Sequence, residues 1–69
     1  MQDVLDAATA FFGPGGLELQ LVSATKARRL FEGTGGYVQI TVWPSGGGTA
    51  VEAEAREWDG QAREFLASL

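Results

Sequence analysis

The chain contains no cysteine and no histidine among its 69 residues. Disulfide bonds are therefore excluded, and carboxylates and backbone oxygens are the remaining candidate metal ligands, which rules out a structural zinc site. Nucleophilic catalysis by a cysteine–histidine pair is excluded for the same reason, and no serine lies in a GxSxG context. We predict no catalytic residue, no metal, no cofactor and no enzymatic activity.

Basic residues are few, with five against nine acids and a formal net charge of -4. Such a field repels phosphate backbones and anionic lipid headgroups, so neither nucleic acid nor a membrane is an expected partner. No segment approaches the roughly 20 consecutive apolar residues of a membrane span, and the first residues carry acids where a secretory signal carries bases. The sequence predicts a soluble cytoplasmic protein.

Apolar residues are not scarce, because 45% of the chain is hydrophobic and it carries two Trp, one Tyr and four Phe. This composition indicates a folded core, since disordered chains are poorer in both classes. A chain of this length buries only roughly 60% of the surface that it exposes when unfolded. We therefore expect one small domain, residues 1–69, with a thin margin of stability.

The strongest local pattern lies in residues 37–43, with the sequence YVQITVW. Its aliphatic side chains are those of Val38, Ile40 and Val42. The side chains between them are those of Tyr37, Gln39, Thr41 and Trp43. This strict period of two predicts a strand with one aliphatic, buried face and one open face that carries two aromatic rings.

Hydrophobic spacing predicts four further elements around this strand. An apolar stripe from Gln2 to Phe12 indicates a helix that GPGG terminates, and a second stripe from Trp58 to Leu69 indicates a closing helix with Asp59 as its N-cap. Alternation predicts strands over Leu17–Val22 and Ala50–Arg56. The stretch PSGGG is expected to be a turn, with Pro44 leaving the strand ladder.

The segment from Ser23 to Glu32, SATKARRLFE, is compatible with two structures. Its residue types favour a short helix, whereas the regular spacing of apolar segments favours a strand from Ala27 to Glu32. We favour the strand. Its register stays open, because a four-residue GTGG loop would pair Phe31 with Val38 and turn Arg29 inward, whereas a bulge or longer loop would bury Leu30.

The order helix, four strands, helix predicts an α+β fold. It is a two-layer sandwich in which a four-stranded antiparallel meander carries both terminal helices on one face, because only one face of each strand is aliphatic. The predicted core consists of Leu5, Ala8, Phe12, Leu19, Leu21, Val38, Ile40, Val42, Val51, Ala53, Phe65 and Leu66. The glycine-rich stretches GPGG, GTGG and GGG each precede a strand, so we interpret them as turns and not as phosphate-binding loops.

The candidate binding residues share the open sheet face: Tyr37, Gln39, Thr41, Trp43, Glu52 and Glu54. The two rings indicate a contact surface, and packing of each ring over neighbouring strands is the alternative that the sequence leaves open. Glu52 and Glu54 lie two residues apart, as a hydrolase pair might, but exposed acids on a flat sheet ordinarily provide solubility. Lys26, Arg28 and Arg29 form a basic cluster, interpreted as a solvated turn or as a docking point for an acidic partner.

From these features we expect a small non-enzymatic interaction domain that forms a homodimer through its open sheet face or an edge strand. A small domain without disulfides or metals gains stability by burying more surface, and its rings are placed to do so. The alternative is an accessory module that binds a small molecule or a peptide, or another protein partner, on the same face or near Trp58.

Overall fold

The computed structural model describes residues 2–69. The elements are α1 (Gln2–Phe12), β1 (Gln20–Ala24), β2 (Arg28–Gly33), β3 (Gly36–Ser45), β4 (Gly48–Arg56) and α2 (Asp59–Ala67). The strands form an antiparallel sheet in the order β1-β2-β3-β4, so each strand pairs with the next one along the chain. The predicted α+β class and the four-stranded meander between terminal helices are confirmed.

Tight turns connect the central strands. Thr34 and Gly35 link β2 to β3, and Gly46 and Gly47 link β3 to β4. Gly46 has φ 53° and Gly47 has φ 83°, and positive φ at both central positions is what a two-residue type I′ hairpin turn requires. This short turn corrects the expectation for Pro44, which stays in the ladder opposite Thr49. Ser45 and Gly48 form the hydrogen-bonded pair that closes the turn, so the next pair, Pro44 with Thr49, is a non-hydrogen-bonded one. The missing N–H of Pro44 therefore removes no hydrogen bond to β4.

The strand favoured over Ala27–Glu32 is present as β2 over Arg28–Gly33, and residues 26–27 form a bend before it. Phe31 pairs with Val38, and Arg29 pairs with Ile40. The register is therefore the one that the GTGG loop sets, with Phe31 fully buried and Arg29 on the helix-covered side. Leu30 lies on the opposite side, beside Gln39.

Both helices pack on the same side of the sheet, α1 against β2 and β3 and α2 against β4. Three aromatic rings join the layers: the centroid of Phe12 lies 5.5 Å from that of Phe31 and 5.4 Å from that of Phe65. The fully or nearly fully buried hydrophobic side chains are Leu5, Ala8, Phe12, Leu19, Phe31, Val38, Ile40, Val42, Ala62 and Phe65. Burial of these groups is the main source of stability in a domain that has no cross-link.

The first strand begins later than predicted. Residues 14–17 form a turn in which Leu17 N–H donates to the carbonyl of Phe11 and Glu18 N–H donates to that of Gly13. β1 is an edge strand, and its pairing with β2 shifts between Leu21 and Ser23. Leu19 enters the core as predicted, but Leu21 is 38% exposed. Its assignment to the core was wrong, because alternation identifies the side of a strand and not whether a helix covers it.

The closing helix also differs in detail. Its N-cap is Trp58, which makes no side-chain capping bond, and not Asp59 as predicted. Asp59 lies in the first turn, where its negative charge interacts favourably with the positive end of the helix dipole. Leu66 is 38% exposed at the outer edge of α2, so its assignment to the core was wrong too. Neither α1 nor α2, the helices of residues 2–69, has the length and apolar character needed to cross a bilayer. The cytoplasmic location stays a prediction.

Candidate interaction surface

The six predicted binding residues lie on one side of the sheet, the side opposite the helices. Tyr37, Gln39, Thr41 and Trp43 alternate along β3 with residues that the helices bury. Gln39 pairs with Glu54 and Thr41 pairs with Glu52, so the two glutamates of β4 lie directly beside them. We call this side of β2, β3 and β4 the open face.

Trp43 is the most exposed large side chain of β3, with 43% of its surface accessible. Its partner on β4 is Ala50, which is too small to cover an indole. On the other side, β2 begins only at Arg28, which pairs with Thr41, so no β2 residue pairs with Trp43. The exposure of the ring therefore follows from the register.

Tyr37 is held more firmly. Its neighbours in register are Glu32 on β2 and Arg56 on β4, and its hydroxyl donates a hydrogen bond of 2.7 Å to Oε2 of Glu54. This bond raises the pKa of the Tyr37 phenol above its usual value, because a negative acceptor stabilises the protonated hydroxyl. Tyr37 is half-buried by these contacts, so cross-strand packing accounts for this ring but not for Trp43.

The open face also contains residues that the sequence pattern did not identify as part of a site. The register adds Leu30 beside Gln39, Arg28 beside Thr41, and Glu32 and Arg56 on either side of Tyr37. Leu30 was one of two alternatives for burial. The charged residues are seen to share this face only when β2, β3 and β4 are aligned. The sequence alone does not determine that alignment, because it leaves the register of β2 open.

The basic cluster is divided by the pleat of the strand. Arg28 lies on the open face, whereas Arg29 lies on the other side, where its Nη1 donates to the carbonyls of Thr25 and Arg28. Lys26 is exposed in the bend before β2. The three side chains therefore do not form a common docking point for an acidic partner.

The carboxylates show no feature of a catalytic pair. Glu52 and Glu54 are both exposed, and the structure gives Glu54 the Tyr37 hydroxyl as a partner. Within residues 2–69, no group of three or more acidic side chains is arranged to hold a metal ion. A groove of about 370 Å³ is present between α2 and β4, lined by Ala53, Ala55, Asp59, Ala62, Arg63 and Leu66. It lies on the helix side of the sheet, away from both glutamates.

The glycine-rich turns use their backbone groups internally. After α1, Gly16 N–H donates to the carbonyl of Gly13 and Leu19 N–H donates to that of Phe12. At the same end of the sheet, Gly33 makes room for Leu19 and Trp58, because a Cβ there would lie 2.2 Å from Leu19 Cδ2 and 2.9 Å from Trp58 Cζ2. These stretches therefore serve the turns and the packing, as interpreted from the sequence.

Trp58, near which the sequence predicts an alternative ligand site, is half-buried against the core. Its Nε1 is buried, and no acceptor for it exists among residues 2–69. The indole contributes packing at the end of the sheet and presents no open ring face comparable to that of Trp43. No protein-family model, curated protein or solved structure matches the chain.

Proposed function

We propose that this chain is a non-enzymatic interaction domain that self-associates as a homodimer through its open face. One observation carries the proposal: the central strand β3 buries Val38 and Ile40 completely on one side, while Trp43 on the other side is 43% exposed with only Ala50 beside it. A large ring held on a rigid central strand is a favourable contact residue, because little side-chain freedom is lost when a partner covers it.

Size supports self-association. A small domain has a large surface relative to its core, and covering further apolar surface adds stability in proportion to the area. With about 4.8 Å between strands and about 3.3 Å per residue, the open face of three strands and seven residues measures roughly 14 by 23 Å. A face-to-face dimer would then bury roughly 700 Å² in total, which is less than the roughly 1,200 Å² at which stable specific interfaces begin. We therefore expect a dimer that dissociates on dilution.

The edges of the sheet offer less to a second copy. β1 is five residues long and has an irregularity between Leu21 and Ser23, and both features protect an edge against pairing. β4 is longer, but Glu52 and Glu54 are exposed along it, and charges on an edge strand also discourage pairing. The open face is thus the better supported of the two self-association surfaces.

A small-molecule or peptide module on the same face has weaker support. Ligand sites are ordinarily concave, and the groove that the structure does present lies between α2 and β4, on the other side of the sheet. Tryptophan fluorescence measured against a panel of metabolites distinguishes this function. A saturable response that the Trp43→Ala variant loses, from a chain that stays monomeric, would favour the ligand module.

Sedimentation velocity over a wide range of protein concentrations tests the homodimer. The wild-type chain should pass from monomer to dimer as its concentration rises. Trp43→Ala should weaken the dimer by more than about tenfold, as truncation of a buried interface tryptophan ordinarily does. In dilute solution the same substitution should change the free energy of unfolding of the monomer by only about 0.5 kcal/mol, because the ring is exposed there.

Leu21→Ala is the matched control, since Leu21 is also exposed but lies on the edge strand β1. It should leave dimerisation unchanged. A dimer that Leu21→Ala dissociates and Trp43→Ala does not would transfer the contact to the edge. A strict monomer at every concentration, with a Trp43→Ala variant of unchanged stability, would refute the proposal.

A further inference from the structure

Four charged side chains occupy the corners of the open face. One row of cross-strand partners consists of Arg28, Thr41 and Glu52. The other row consists of Glu32, Tyr37 and Arg56. In the first row the base lies on β2 and the acid on β4, and in the second row this order is reversed. All four charged side chains are exposed, so the sign of the charge alternates around the corners.

An alternating pattern of this kind is complementary to its own copy. Interfaces between identical chains are ordinarily two-fold symmetric, so one surface patch must fit itself. When two such faces meet, a two-fold axis in the plane of contact brings opposite charges together whether it runs along β3 or across the strands. A pattern with both bases on one strand would lack the second of these solutions. The charges therefore identify a second copy of this chain as a chemically suitable partner.

An axis along β3 places β2 over the partner's β4. Arg28 then faces the partner's Glu52, and Glu32 faces the partner's Arg56. The residues of β3 meet their own copies, so the exposed ring of Trp43 lies against the partner's Trp43. This arrangement covers the indole that Ala50 leaves exposed, and paired aromatic rings add stability beyond the area that they bury.

An axis across the strands, at the level of Gln39, is less favourable. Gln39 and Glu54 form one row, so this axis brings Glu54 against the partner's Glu54. Two like charges at the centre of a contact repel each other. Trp43 would then lie over the partner's turn between β2 and β3, where Gly35 offers no side chain to it.

We infer that the dimer has its two-fold axis parallel to β3, with Arg28 facing the partner's Glu52 and Glu32 facing the partner's Arg56; this inference rests on the function proposed above. The same contacts fix how the two copies are oriented. The register of β2, β3 and β4 predicts which charged residues face each other across the axis. The two charges of each predicted pair can therefore be exchanged by mutation. Two double exchanges that conserve net charge separate the alternatives.

Sedimentation velocity of charge-exchange variants tests the inference. Arg28→Glu alone, or Glu52→Arg alone, should weaken the dimer by at least about tenfold, because each dimer then contains two like-charge contacts. The double variant Arg28→Glu with Glu52→Arg should recover the wild-type association to within a few-fold, because opposite charges meet again. Circular dichroism of the dilute variants should match the wild-type spectrum, which separates a loss of association from a loss of folding.

The double variant Arg28→Glu with Glu32→Arg is the matched control. It also conserves the net charge of -4, but an axis along β3 then creates like-charge contacts at all four corners. It should be monomeric. If this variant forms a dimer and the variant Arg28→Glu with Glu52→Arg does not, the two-fold axis runs across the strands and the inference is overturned. A wild-type dimer insensitive to every exchange would overturn it while leaving the proposed function standing, whereas a wild-type monomer at all concentrations would remove both.

Discussion

The two sides of β3 have the same backbone and opposite surroundings. On the covered side, Val38 and Ile40 are completely buried beneath the helices. On the open side, Tyr37 and Trp43 flank polar groups, and the covering they have comes from neighbouring strands alone. The comparison separates two uses of apolar groups in one strand: the covered side stabilises the monomer, and the open side holds contact residues in a fixed arrangement. Mutations on each side should therefore affect different quantities.

The largest difference is expected on β2, where neighbouring residues point to opposite sides. Phe31 is completely buried and lies against Phe12, whereas Leu30 is half-buried on the open face. Phe31→Ala should lower the free energy of unfolding by about 3–5 kcal/mol through lost burial and the cavity left behind. Leu30→Ala should lower it by about 1 kcal/mol or less in the dilute monomer. Urea denaturation followed by tryptophan fluorescence measures both.

A domain of this size has a total stability of roughly 3–10 kcal/mol, so Phe31→Ala can be unfolded before urea is added. Phe31→Leu, which leaves a smaller cavity, then supplies a measurable value of intermediate size. Equal losses from Leu30→Ala and Phe31→Leu would show that the two sides of the sheet do not differ as the burial indicates.

A smaller effect is expected where the covered side is closest to the backbone of the next segment. Gly36 shares the covered side of β3, and a Cβ there would lie 1.9 Å from the carbonyl oxygen of Arg56. That oxygen belongs to the backbone and cannot move aside, so Gly36→Ala should destabilise the domain by about 1–3 kcal/mol. Gly60→Ala is the control, since a Cβ there meets nothing within 4 Å and the residue lies in α2.

Gly60→Ala should stabilise the domain by up to about 1 kcal/mol, because alanine has the higher helix propensity. The two substitutions add the same methyl group, so changes of opposite sign in the free energy of unfolding would show that the loss at Gly36 comes from its close contact with the backbone of Arg56. Thermal unfolding of both variants is sufficient. A Gly36→Ala variant as stable as the wild-type chain would mean that the covered side tolerates added volume at this end.

The sequence predicted the elements and the residues that β3 contributes to the open face, because a period of two on β3 fixes which residues share a side. The regular spacing of apolar segments also identified β2 despite its helix-favouring composition. Burial was harder to predict. Leu21 and Leu66 obey the apolar pattern of their elements, yet both are over a third exposed, because the pattern contains no information on where the covering layer ends.

The charge arrangement could not be predicted from the sequence. Arg28, Glu32 and Arg56 are ordinary exposed residues when each strand is considered separately. Their alternation depends on the register of two hairpins, and a shift of one residue in β2 would have moved both of its charges to the helix side. The two-residue turn at Thr34 and Gly35 decides that register, and the sequence GTGG is compatible with more than one turn length.

The smallest effect is expected on the open side, at the bond between Tyr37 and Glu54. The pKa of Tyr37 is raised above its usual value of 10.0, with the hydrogen bond to Glu54 as the main cause. Since the folded chain holds this proton more tightly than the unfolded chain, the bond stabilises the fold fully at pH below 10 and loses its contribution as pH rises through the higher folded pKa.

Tyr37 is the one tyrosine of the chain, so its ionisation can be followed by tyrosinate absorbance. Glu54→Gln should lower the midpoint toward the usual value, whereas Glu52→Gln, which removes a carboxylate without a bond to the phenol, should leave it nearer to that of the wild-type chain. Identical midpoints for the wild-type chain and Glu54→Gln would show that the open side does not hold its rings through this contact, and that Tyr37 is as free as Trp43.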